Sequence, residues 1–243
     1  MADDNVSISY GDKSAEFPVL KGVDGANAVD VSKLMATTGL NSFDGGFVNT
    51  ASTKSAITFI DGDAGILRYR GYPIEELAGK KNFLEVAYLL NYGELPTPEQ
   101  ATEFENRVLQ QAHMPHNIKS FFDGFPQNAH PMSVLSAGVS VLATYSQDAL
   151  DPHDEAQVEL STSRLMAQLP ILAAYTYKMI NGEALPASKP HLGYVENFLQ
   201  LTFGSDAEAF VHNPVVTEAL DTLLVLHADH EQNCSTSTVR LVG

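Results

Sequence analysis

Apolar and polar positions follow two different periods along this chain, and the change between them divides it. In the first fifty residues the short runs Val6-Ser7-Ile8-Ser9-Tyr10 and Ala15-Glu16-Phe17-Pro18-Val19-Leu20 flank Gly11-Asp12, which predicts a β-hairpin. Gly39 to Gly46 reads as loop. A second pair of strands is expected at Ile57–Ile60 and Ile66–Arg70, around Asp61-Gly62-Asp63-Ala64-Gly65, a run rich in residues that accept positive φ. From Pro73 onward the apolar positions recur at helical spacing.

Several of the expected helices carry their own start signals. Asn82 with Glu85 opens a helix over Phe83–Leu90 that Gly93 stops. Thr97-Pro98-Glu99-Gln100 combines an N-cap, a proline at the first helical position and a capping-box glutamine, and opens a helix to about Ala112. Pro131 to Ser146 is a small-residue apolar helix suited to close packing. Glu155 to Ile180 is another, expected to bend or break near Pro170. Asn213-Pro214 starts a helix whose Leu220, Leu223, Leu224 and Leu226 make it a buried one. The fold class is mainly α with a β-rich N-terminal segment, without internal repeats or low-complexity tracts.

Composition narrows this further. A chain of 243 residues that is 44% hydrophobic can bury one sizeable core, or one large and one small lobe. The net charge of −16 disfavours nonspecific attraction to nucleic acid or to an anionic membrane. Cys234 is the single cysteine, so no internal disulfide framework is available, which suits a reducing cytoplasm. Met1-Ala2-Asp3-Asp4-Asn5 has no basic or apolar run of the kind a secretory signal begins with. Val134 to Tyr145, the longest mostly apolar stretch, is too short and too rich in Ser and Gly to span a bilayer.

The densest chemistry lies near the end. His227-Ala228-Asp229-His230-Glu231-Gln232-Asn233 places two histidines, two carboxylates and two amides at the exit of the last apolar helix. His227 continues the leucine stripe and is read as a hydrogen-bonded core histidine, whereas His230 sits at the junction and is the better candidate for ligand contact. If the helix ran on unbroken, His227, His230 and Cys234 would share a face and could hold zinc. Asn233, Ser235 and Thr236 are cap-type residues and argue for a break instead, so no metal is expected. Asp61-Gly62-Asp63 is no calcium loop, because glycine falls at the fifth position and Tyr72 at the twelfth. His113, His116, His130 and His212 read as structural or surface residues. No Gly-x-Gly-x-x-Gly, Walker or Gly-x-Ser-x-Gly sequence is present.

The run from His227 to Arg240, His-Ala-Asp-His-Glu-Gln-Asn-Cys-Ser-Thr-Ser-Thr-Val-Arg, resembles the oxaloacetate-side motif of citrate synthase. Ile57 to Ile74, which contains Asp61-Gly62-Asp63 and Arg68-Tyr69-Arg70-Gly71-Tyr72-Pro73, resembles that family's hairpin signature. The two lie in the family's order, the similarity extends over nearly the whole chain, and Val6 to Lys21 is typical of the larger bacterial (type II) enzymes.

The resemblance implies a Claisen-type condensation of acetyl-CoA with oxaloacetate, followed by thioester hydrolysis to citrate. It implies no cofactor, since coenzyme A enters as part of a substrate, and an acidic surface does not help to bind it. Carried over residue by residue, His230 binds oxaloacetate, Asn233 lines the same pocket, and His227 and Asp229 support the loop. The family's general base and other active-site histidines are expected beyond Gly243, so the 243-residue chain is expected to be inactive. Residues 1–50 would be a β-rich N-terminal segment and 51–243 the N-terminal portion of the helical large domain, without the small domain. The implied protein is a cytoplasmic homodimer or hexamer.

By the same resemblance, Arg164 and Asn197 match residues of the nucleotide site of the NADH-inhibited type II enzymes, while Gln110, Ser146, Gln168 and Ala207 stand where those enzymes carry arginine, tyrosine, lysine and cysteine. The complete enzyme is expected to be insensitive or weakly sensitive to NADH. Alternatives to the condensation are a 2-methylcitrate synthase using propionyl-CoA and a noncatalytic helical assembly module.

Overall fold

The computed structural model describes residues 4–23, 25–211 and 213–242. His212 is therefore outside the described residues. Among those described are ten α-helices and six short strands, in two compact units: the residues up to Ile74 together with those from His230, and Glu75–Asp229.

In the first unit, β1 (Asn5–Tyr10) and β2 (Lys13–Leu20) form the expected hairpin, with Val6 opposite Phe17 and Ile8 opposite Ala15. Gly11 takes φ 60°, the positive value such a two-residue turn needs. Alternation puts Phe17 inward, where it is buried. Two elements that sequence reading missed complete this part: β3 (Ala28–Val29), paired with β2, and α1 (Leu34–Thr38), packed on β2. The second hairpin also forms, from β4 (Thr58–Asp61) and β5 (Ile66–Tyr69). Asp61 Oδ1 accepts the N–H groups of Asp63 and Ala64 at 3.1 and 2.9 Å, closing the turn. The chain then folds back through β6 (Tyr72–Pro73) into α2 (Ile74–Leu77).

The helical unit begins with two complete capping boxes. Asn82 and Glu85 exchange bonds at the start of α3 (Phe83–Tyr92), and Thr97 and Gln100 do so at the start of α4 (Pro98–Gln110). α5 (Ile118–Asp123), α6 (Pro131–Thr144) and α7 (Glu155–Ile180) follow. α8 (Tyr194–Phe203) and α9 (Pro214–Leu226) complete the unit. α7 is its spine, packing on α4, α5, α6 and α8. Its Ala167, Ile171, Leu172, Ala174 and Tyr175 meet Phe104, Val108, Phe122, Val134 and Leu201 in one core. α6 approaches closely because Gly138 faces Leu172: a Cβ there would lie 3.0 Å from Leu172 Cδ2.

α7 does not break at Pro170; it is one helix of 26 residues. Proline removes the N–H that would bond the carbonyl four residues back, here that of Met166. Tyr194 supplies the missing donor, its hydroxyl lying 2.9 Å from Met166 O. Burial pushes the pKa of that hydroxyl up, so it stays a donor throughout the physiological range.

Tyr194→Phe keeps the ring and strands the Met166 carbonyl, with an expected loss of about 1–3 kcal/mol in urea unfolding. In a Pro170→Ala background the new amide can take over, and the same substitution is expected to cost about 1 kcal/mol less. Strictly additive losses would contradict the pairing.

Candidate functional site

Asn213 caps α9 by accepting the N–H of Val215 at 3.0 Å, and Pro214 occupies its first position, as its sequence signals require. The helix ends at Leu226. His227 is its C-cap: its N–H reaches Leu223 O at 3.1 Å, and its ring Nδ1 lies 2.8 Å from the same oxygen. A carbonyl only accepts, so Nδ1 carries a proton in this bond.

The core reading of His227 is corrected. The residue is hydrogen-bonded but exposed, and of α9 only Val225 is buried. Leu223 is 51% and Val216 42% exposed, so the leucine stripe predicted a burial that the described residues do not supply.

Past His227 the helix does not continue. Ala228 N bonds Val225 O, Glu231 takes φ 64°, and a new helix, α10 (Cys234–Val242), starts at Asn233. Asn233 Oδ1 accepts the N–H of Thr236 at 2.8 Å while its carbonyl accepts that of Ser237 at 2.9 Å, the geometry of an N-cap. His227, His230 and Cys234 therefore do not share a helical face, and the zinc arrangement is lost. What remains is a six-residue polar link, 227–232, between two helices, with Asp229 half-buried and His230 and Asn233 exposed. Such a link presents imidazole, carboxylate and amide groups on loop backbone.

Arg164 and Asn197 are both engaged. The Arg164 guanidinium pairs with Asp148 through two bonds, 2.6 and 2.9 Å, which holds the Asp148 carboxyl below its ordinary range. Its Nε reaches Gln111 Oε1 at 3.4 Å. Asn197 is buried; its Oδ1 accepts Lys189 N at 2.7 Å and its Nδ2 donates to Ser188 Oγ at 3.1 Å. Gln168 donates to His113 O at 3.0 Å, and His130 caps α6 through the Met132 N–H. A concavity of about 740 Å³ runs along α4 past Arg107 and Gln110 and includes none of the candidate substrate residues. Asp221, which no sequence motif singles out, joins α9 to α3 through Phe83 N at 3.0 Å.

The family described as citrate synthase, C-terminal domain, matches residues 46–243. The chain belongs to the citrate synthase family. It is 54% identical over 241 residues to citrate synthase 1 of Mycobacterium tuberculosis, covering 99% of this chain and 56% of that protein. With the citrate synthase of Corynebacterium glutamicum it shares 47% over 242 residues, 99% of this chain and 55% of that one. The chain thus spans little more than half the length of these relatives. The solved citrate synthase of Thermotoga maritima superposes with a TM-score of 0.67 at 28% identity, over 81% of this chain and 49% of that one. That of Thermoplasma acidophilum, a ternary complex with carboxymethyl coenzyme A and oxaloacetate, gives 0.72 at 24% over 82% and 50%, a likeness of fold. The helical architecture inferred from sequence is thus the one these citrate synthases share.

Asn233→Ala removes the cap of α10 and is expected to cost about 1 kcal/mol of local stability. Amide exchange at Thr236 and Ser237 measures it, with Asn233→Asp retaining protection. Equal protection in the alanine variant would contradict the cap.

Proposed function

We propose that this chain carries the oxaloacetate wall of a citrate synthase, the enzyme that condenses acetyl-CoA with oxaloacetate and water to citrate and coenzyme A. The observation that carries the reading is the His227–Asn233 link, set between two helices inside a segment that matches the citrate synthase family from residue 46 onward. His230 is assigned to oxaloacetate binding, Asn233 to the lining of the same pocket, and His227 and Asp229 to supporting the loop. His227 suits that supporting role, since its Nδ1 proton is already committed to Leu223 O.

The chemistry needs a carboxylate base at the acetyl methyl, a donor on the thioester oxygen and a donor polarising the ketone of oxaloacetate. The enol carbon then attacks that ketone, and water cleaves the resulting thioester. We assign the base and the remaining catalytic histidines to the part of the relatives' length that this chain does not span. Residues 51–243 are then the N-terminal portion of the helical large domain, and 1–50 a β-rich N-terminal segment. The reaction requires no cofactor or metal. A homodimer or hexamer in the cytoplasm is the proposed assembly, in keeping with a single cysteine; no helix among the described residues is long and apolar enough to cross a membrane.

The 243-residue chain is expected to release no coenzyme A thiol from acetyl-CoA and oxaloacetate, once the Cys234 thiol is subtracted. Steady turnover would place the base within this chain, with Asp229 and Glu231 the first candidates.

Regulation by NADH is proposed to be weak. Arg164 is neutralised by Asp148, and Gln110 and Gln168 stand where the resemblance places cations that would face a pyrophosphate. Micromolar NADH is expected to leave the activity of the full-length enzyme unchanged, and half-inhibition in that range would contradict this.

A further inference from the structure

The N-termini of α3 and α8 meet. Phe83 and Tyr194 are their first residues, and the two rings stack with centroids 5.4 Å apart. α9 packs on both helices. Each helix end presents unpaired backbone N–H groups and partial positive charge. At α3 the capping box pairs Asn82 with Glu85 and leaves the Phe83 N–H for an outside acceptor. Asp221 of α9 provides it, 3.0 Å away and 138 residues along the chain.

The position is costly for a carboxylate. Asp221 is half-buried, and the charged groups facing it are Glu85 of α3, itself paired with Lys81 at 2.9 Å, and Glu196 of α8. Burial and then these two acids push its pKa up, while the Phe83 N–H pulls the other way. An apolar side chain there would avoid that penalty but would leave the Phe83 N–H without its acceptor. The bond does fix the rotation and height of α9 on two converging helix ends, less than two turns before the helix gives way at His227.

We infer that Asp221 is a positioning residue for the substrate loop: by capping α3 from α9 it sets where His227, Ala228 and Asp229 leave the helical unit. The inference rests on the oxaloacetate reading of that loop. It requires the carboxylate's acceptor oxygen rather than its charge, so Asp221→Asn should substitute and Asp221→Ala should not.

The test is amide exchange on the 243-residue chain and its two variants. Asp221→Ala is expected to speed exchange about tenfold at Phe83 and also at His227 and Ala228, whereas Asp221→Asn stays within about twofold of wild type. Acceleration confined to Phe83, or an asparagine variant that behaves like alanine, overturns the inference. Should the alanine variant not fold, the wild-type chain decides: the Phe83 and His227 amide resonances are expected to share an acid-side midpoint that Asp221→Asn abolishes. A midpoint that persists in the asparagine variant overturns it too. Oxaloacetate titration is read separately. Binding weakened about tenfold by alanine and retained by asparagine supports the positioning role. A wild-type chain that binds no oxaloacetate overturns the substrate reading of the loop, while the exchange data still decide whether Asp221 holds it.

Discussion

Tyr194 is the side chain on which the helical unit turns. Its hydroxyl satisfies the carbonyl that Pro170 leaves open in α7, so the spine of the core runs unbroken. Its ring stacks on Phe83, which brings the start of α8 against the start of α3. One residue thereby links the helix that four others pack on with the junction that receives α9. An orphaned carbonyl inside that core would cost on the order of a whole hydrogen bond, a sizeable part of the margin by which a domain is stable.

From that junction the path to the candidate site is short. α9 is held at its middle by Asp221 and ends at Leu226, and the polar residues follow at once. The helix stops because the His227 ring and main chain both close on Leu223 O, and because Asn233 has a better use for its side chain as the cap of a new helix. A continuous helix would have stacked His227, His230 and Cys234 on one face and made a metal site plausible. The break separates them into a loop of alternating imidazole, carboxylate and amide groups. The same residues are thus compatible with two arrangements, and the local capping decides which one forms.

Much of this was legible because the signals are local. Asn82 with Glu85, Thr97 with Gln100, and Asn213 with Pro214 each specify a helix start within four residues, and each is realised. Gly11 and Asp61 do the same for the two hairpins. What sequence missed lacks such signals: α8 begins at Gly193 and α5 at Asn117, neither with a side-chain cap bond, and α1 is only five residues long. The expected break at Pro170 failed because its remedy, Tyr194, lies in another helix. The burial of His227 failed for a related reason: a leucine stripe shows that a face wants cover, but not where the cover comes from. Asp221 was invisible because an acceptor for an amide 138 positions away has no local pattern.

The loop's role is tested most directly by following the His227 and His230 ring resonances and the Asn233 side-chain amide while oxaloacetate is titrated into the 243-residue chain. Saturable shifts centred on His230 and Asn233, with smaller ones at His227 and none at Arg164, are expected. Shifts that cluster around Arg164 or along α4 and leave residues 227–233 unmoved would contradict the assignment of oxaloacetate to this loop.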